Sequence, residues 1–142
     1  MTGAGDALDQ QLWDFVYLYD AAYDRAARAA GLSAAQACLL DALTRGGRSM
    51  GELADELLCD ASNVTQLVTR LEAGGLVSRI PDPDDRRVRH VSITPAGRRV
   101  RRAVGRAFDF PSGRLGRLTE EERLQLSGLM AKLLAPDTSP SS

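Results

Sequence analysis

Between Asp82 and Gly97 the sequence reads DPDDRRVRHVSITPAG, in which three carboxylates, Asp82, Asp84 and Asp85, stand against two arginines, Arg86 and Arg87. Asp85 and Arg87 are two apart, so in an extended chain they point to the same side and the carboxylate is expected to brace the guanidinium. A braced arginine at a loop tip loses less rotamer freedom on entering a narrow, electronegative groove, which is the chemistry of minor-groove contact with DNA. Arg89 continues the positive charge. By itself such a run is most often a solvated loop, so its reading depends on what precedes it.

What precedes it is a segment with two opposed faces. Val64, Leu67, Val68 and Leu71 follow the helical i, i+3, i+4, i+7 spacing of a core face. Ser62, Thr65, Gln66 and Thr69 repeat that spacing roughly 200° away, at 3.6 residues per turn, and Asn63, Gln66 and Arg70 form a second stripe beside them. A solvent-facing helix usually carries Glu and Lys. Hydroxyls and amides are instead short groups that read base edges or bond phosphates in a major groove. A merely polar helix surface would look the same, and the arginine loop that follows favours the nucleic-acid reading.

Charge supports this once it is divided by position. The net charge of the 142 residues is −1, but residues 1–59 carry 4 basic and 9 acidic side chains, residues 60–106 carry 10 and 5, and residues 107–142 carry 4 and 5. The +5 of the middle segment is local, and local charge is what a phosphate backbone responds to.

The elements that position these groups have legible boundaries. Apolar residues from Leu8 through Leu12, Phe15, Val16, Tyr19, Ala22, Tyr23 and Ala26 recur at three and four, predicting an amphipathic helix that ends near Gly31. Ser33 with Gln36, Ser49 with Glu52, and Thr119 with Glu122 fit the capping box. Asp60 can cap a helix alone, and Thr94–Pro95 reads as a cap with proline in the first turn. Leu76–Ile80 and Val88–Ile93 are short β-branched runs, and Pro81 and Pro83 mark the loop between them. Four helices, a hairpin and two more helices make a mainly α fold with a small β-hairpin wing, a winged helix-turn-helix at residues 32–94. Pro111 is expected to end or kink the long helix near Phe110.

The stretch GELADELLCDASNVTQLVTRLEAGGLVSRIPDPDDRRVRHVSITPAG resembles the DNA-binding lobe of the MarR family of bacterial transcriptional regulators. The elements that carry the resemblance are Glu52–Ala54, Val64–Thr65, Leu71–Arg79, Asp82–Arg87 and Ile93–Gly97, with Leu32, Ser33 and Gln36 upstream. It implies a single domain over residues 1–142 that dimerises through helices at residues 6–30 and 95–135, with residues 136–142 a disordered tail. It also implies a cytoplasmic repressor of a pseudo-palindromic operator, released by a small aromatic or phenolic effector. The DNA-contacting residues would be Ser62, Asn63, Thr65, Gln66, Thr69 and Arg70 on the helix, and Asp85, Arg86, Arg87 and Arg89 on the wing. Gln66 stands where many members carry arginine, so base preference cannot be transferred, and Ala37 stands where an aromatic is common.

All seven aromatic residues lie outside the winged helix. Trp13 and Tyr17, neighbours on one helix face, and the space left by Ala37 form the candidate effector pocket; Phe15 and Tyr19 belong rather to the apolar stripe. An alternative trigger is oxidation of Cys59 or Cys38, although a buried cysteine at Cys59 would be inert. The two cysteines form neither a C-x-x-C pair nor a disulfide framework, and neither a metal site nor a cofactor is expected. His90, the single histidine, has no partner set for catalysis and is expected to face solvent or phosphate, so an enzyme is the weakest class. A winged helix serving protein interaction remains the second class. No apolar run approaches the roughly 18 residues that span a bilayer.

Overall fold

The structure is a computed structural model that describes residues 3–85 and 87–137. Its elements are α1 (Ala4–Ala29), α2 (Ala34–Ala42) with a 3₁₀ turn at Leu43–Arg45, β1 (Arg48–Ser49), α3 (Met50–Leu57), α4 (Ala61–Ala73), β2 (Val77–Pro81), β3 (Arg89–Ile93), α5 (Pro95–Ala107), α6 (Ser112–Leu115) and α7 (Glu120–Leu134). The fold is thus mainly α with a small antiparallel sheet. The chain divides into two compact units, Met1–Phe108 and Asp109–Ser142. No helix among the described residues is long and apolar enough to cross a membrane.

The caps form as their residue types require. Ser33 and Thr119 make both halves of the capping box with Gln36 and Glu122. Ser49 makes only one: its hydroxyl accepts from the Glu52 N–H at 3.1 Å, with no return bond from the Glu52 side chain. Ser49 is also the last residue of β1, paired with His90, so its backbone is held in the sheet. That strand was not legible in the sequence, because two residues are too few to show alternation.

The sheet runs in the order β1-β3-β2. Pro81, expected to stand in the loop, is instead the last residue of β2, opposite Arg89. The Thr94 N–H donates to the Leu76 carbonyl at 3.0 Å and the Asp82 N–H to the Val88 carbonyl at 2.9 Å, which places the hydrogen-bonded pairs at even positions of β2. Pro81 therefore turns its missing N–H to the open edge, where nothing is lost.

The core of the first unit is built from α2, α3, α4 and β3. Leu39, Leu40, Leu53, Val64, Val68 and Val91 are fully enclosed, and burying each such side chain is worth about 1.5–3 kcal/mol. Val64 and Val68 turn inward with Leu71, so the opposite face of α4 must look out. The hinge between the recognition-type helix and α5 is Thr94, whose hydroxyl donates to the Gly75 carbonyl at 2.7 Å and accepts from the Gly97 N–H at 3.0 Å.

α5 ends at Ala107, ahead of Pro111 as expected, and Phe108 sets its ring edge-on to Tyr19 and Tyr23, 5.2 Å from each. In the second unit the short α6 was not anticipated; four residues carry no readable period. No residue of α7 is buried in the single chain.

Candidate nucleic-acid interface

Asp60 starts α4. Its carboxylate accepts from the Asn63 N–H at 2.9 Å and from the Ser62 hydroxyl at 2.8 Å. The backbone bond from Asn63, reinforced by Ser62, holds the Asp60 carboxyl below its usual range. Ser62, Asn63, Thr65, Gln66, Thr69 and Arg70 are all exposed, on the side of α4 away from Val64 and Val68. Asn63, Gln66 and Arg70 make no side-chain hydrogen bond or ion pair among the described residues, which leaves two amides and a guanidinium open to a partner. The hydroxyls are differently placed: Thr65 donates to the Ala61 carbonyl at 2.9 Å and Thr69 to the Thr65 carbonyl at 2.8 Å.

The wing loop is made by its aspartates. Asp82 Oδ1 accepts from the Asp84 N–H at 2.8 Å, and Asp85 Oδ1 accepts from the Arg87 N–H at 3.0 Å. The Val88 N–H closes on the Asp85 carbonyl at 3.1 Å. The expected brace between Asp85 and the Arg87 guanidinium is therefore not what the geometry shows, and no ion pair joins them among the described residues. The reason is local: the chain turns at Asp85, and a turning aspartate finds the N–H two residues on before it finds a side chain. Asp85 positions the backbone that carries Arg87. Arg86 lies outside the described residues.

His90, expected at solvent or phosphate, sits with Nε2 at 3.2 Å from Asp82 Oδ2 at the loop end of the hairpin. Arg87 and Arg89 are exposed. With Val88, Ser49, Met50 and Gly51 they line an open groove of about 500 Å³ between the wing and the start of α3. Two arginines lie beside a helix N-terminus, whose backbone N–H groups carry partial positive charge, an arrangement that favours anions. Ser49, Met50 and Gly51 were missed by sequence reasoning because they carry no charge; only the helix start itself signalled them.

Arg79 was also missed. It appeared in the sequence only as part of a motif, yet from β2 its Nη2 donates to Thr69 Oγ1 at 2.8 Å and its Nε lies 3.7 Å from Glu72 Oε2.

Away from this face, the three residues of the candidate effector pocket separate. Trp13 and Tyr17 stay together, with ring centroids 6.4 Å apart, and both are more than half exposed. Ala37 is closed into the core. Of the cysteines, Cys59 is half-buried against the core and Cys38 is exposed. Burial holds the Tyr23 phenol above the ordinary tyrosine range, and the neighbouring Cys38 thiol adds to the rise.

The sequence model of the MarR family matches residues 30–88. The chain is similar to the transcriptional activatory protein BadR of Rhodopseudomonas palustris, 42% identical over 80 residues, which cover 54% of this chain and 46% of that protein. The match thus spans just under half of BadR's own length. It is similar also to the HTH-type transcriptional repressor MdtR of Bacillus subtilis, 32% identical over 105 residues, covering 72% of this chain and 68% of that one. In fold it is similar to CouR from Rhodococcus jostii, solved with p-coumaroyl-CoA bound, at a TM-score of 0.75 and 24% identity over 99% of this chain and 100% of the other.

Proposed function

This chain belongs to the MarR family of transcriptional regulators, and we propose that it works as a homodimeric repressor, released from a pseudo-palindromic operator by a small aromatic effector. The observation that carries the DNA reading is the pair of surfaces on one lobe. One is an exposed polar face of α4 with Asn63, Gln66 and Arg70 unengaged; the other is a wing whose Arg87 and Arg89 line a groove at the start of α3. In this reading Gln66 and Asn63 meet base edges in the major groove, and the wing arginines hold the backbone and the adjacent minor groove. The protein acts in the cytoplasm, where its operator lies.

Fluorescence anisotropy against the DNA upstream of its own gene and against a shuffled duplex, at two salt concentrations, tests this. Preference for the native duplex that survives higher salt supports a site-specific regulator; equal, salt-sensitive binding to both counts against it. The roles separate in the same assay. Arg87→Ala is expected to weaken binding to all sequences and to reduce the salt slope by about 1, while Gln66→Ala relaxes discrimination at one base pair by about 1–3 kcal/mol. Equal effects of both variants on every duplex would overturn this division.

Repression is supported by the likeness to MdtR, which spans more of this chain than the likeness to the activator BadR. An aromatic effector is supported by the exposed Trp13 and Tyr17 rings and by the aromatic thioester bound in CouR. With Ala37 enclosed, the remaining walls around these rings come, in this reading, from the second copy. The single tryptophan reports on this: saturable quenching by a phenol or aromatic acid that also weakens DNA binding is expected. A ligand that releases DNA while leaving Trp13 fluorescence unchanged places the site elsewhere.

A further inference from the structure

Hydrogen-bond accounting along α4 divides its exposed face in two. The Thr65 proton is committed to the Ala61 carbonyl and the Thr69 proton to the Thr65 carbonyl, so each hydroxyl offers a partner only its oxygen. One of the two lone pairs of the Thr69 oxygen already accepts from Arg79 Nη2 at 2.8 Å, a charge-assisted bond. The same guanidinium turns its Nε, buried and without a hydrogen bond, toward Glu72 at 3.7 Å. One arginine of a wing strand thus engages two side chains, three residues apart, on the last turns of the recognition helix. Among the described residues Thr65 Oγ1 has no such occupant.

We propose that Arg79 is a positioning residue that locks the recognition helix to the wing through Thr69, withdrawing Thr69 from base reading and leaving Thr65 as a reader that offers only an acceptor. This rests on the DNA-binding reading of the same face. Two consequences follow from the chemistry. Thr69 drops out of sequence discrimination, which falls to Asn63, Thr65, Gln66 and Arg70. Thr65, unable to donate, selects a base that presents an amino group in the major groove, the N6 of adenine or the N4 of cytosine, over the acceptors of guanine. The lock also fixes the angle between helix and wing, so its loss weakens every complex alike.

The test begins with selection of duplexes from a randomised pool by the wild-type protein, followed by affinities for the selected duplex and its single-base variants. Thr69→Val, nearly isosteric and exposed, should lower affinity for every duplex by the same factor, about three- to tenfold for one exposed hydrogen bond, with the rank order of sequences kept. Thr69→Ser, which keeps the hydroxyl, should restore it. Arg79→Met combined with Thr69→Val should be no worse than Arg79→Met alone, since both remove one contact. Thr65→Val should flatten preference at a single adenine or cytosine position. A Thr69→Val protein that loses preference at one base pair while sparing the others would make Thr69 a reader and overturn the proposal; unchanged affinity for all duplexes would show that no lock exists. Failure of the wild-type protein to enrich any sequence would instead remove the DNA-binding premise, and the proposal with it.

Discussion

Replacing Gly97 by alanine is expected to destabilise the protein strongly, although it adds only one methyl group. A Cβ built on Gly97 falls inside contact distance of the Leu76 carbonyl oxygen and within 2.8 Å of Ile93 Cγ1. The Leu76 carbonyl cannot swing aside, because it accepts the Thr94 N–H at 3.0 Å, and Thr94 in turn caps α5. Either α5 lifts off the end of α4, or the β2–β3 base opens. Overpacking of a rigid site costs about 1–3 kcal/mol and more where backbone must move, so a loss of at least about 3 kcal/mol is expected, against a total of about 5–15 for a typical domain. Thermal unfolding followed by circular dichroism should show a drop of roughly 10 °C or more. Gly105→Ala on the same helix provides the contrast. No atom lies within 4 Å of a Cβ there, and alanine in a helix interior is favoured over glycine by about 1 kcal/mol. If both variants melt alike, Gly97 is not the point where the recognition helix, the wing and α5 meet.

That junction shows how far local signals reach. Helix starts were legible because a cap is a contact between residues three apart, and Ser33, Asp60, Thr94 and Thr119 all accept the N–H their positions predict. The α4 core face was legible because Val64, Val68 and Leu71 repeat with the period of the helix. The polar face opposite it followed by geometry. Contacts between distant segments left no such trace. Arg79 and Thr69 are ten residues apart on different elements, Arg101 holds Asp41 at 2.7 Å across sixty residues, and β1 has its partner in β3. Asp85 failed differently: the spacing rule was sound for an extended chain, but the chain turns there, and the backbone N–H of Arg87 took the carboxylate.

The largest effect on function is expected from Leu129→Asp. Leu126, Leu129, Met130 and Leu133 follow the i, i+3, i+4, i+7 spacing of a helix stripe, yet Leu129 is 58% and Leu133 64% exposed. α1 shows the same pattern, with Leu12, Phe15, Val16 and Tyr19 all more than 40% exposed. Exposed apolar stripes of this size suit an interface, and under the homodimer reading each leucine buried there contributes about 1.5–3 kcal/mol. A carboxylate at position 129 enters a twofold interface twice, with only Lys132, three residues on, near it on its own helix. Sedimentation should show monomers at concentrations where the wild type is dimeric, with Leu129→Ala intermediate. Operator affinity should fall at least about a hundredfold, because two half-sites are held together only while the lobes are linked. The melting of the winged-helix lobe should change little, since its core of Leu53, Val64, Val68 and Val91 lies within the first unit. A dimer that survives the substitution would exclude this stripe from the interface. A monomer that kept full operator affinity would show that one winged helix suffices for recognition, and the palindromic reading would fail with it.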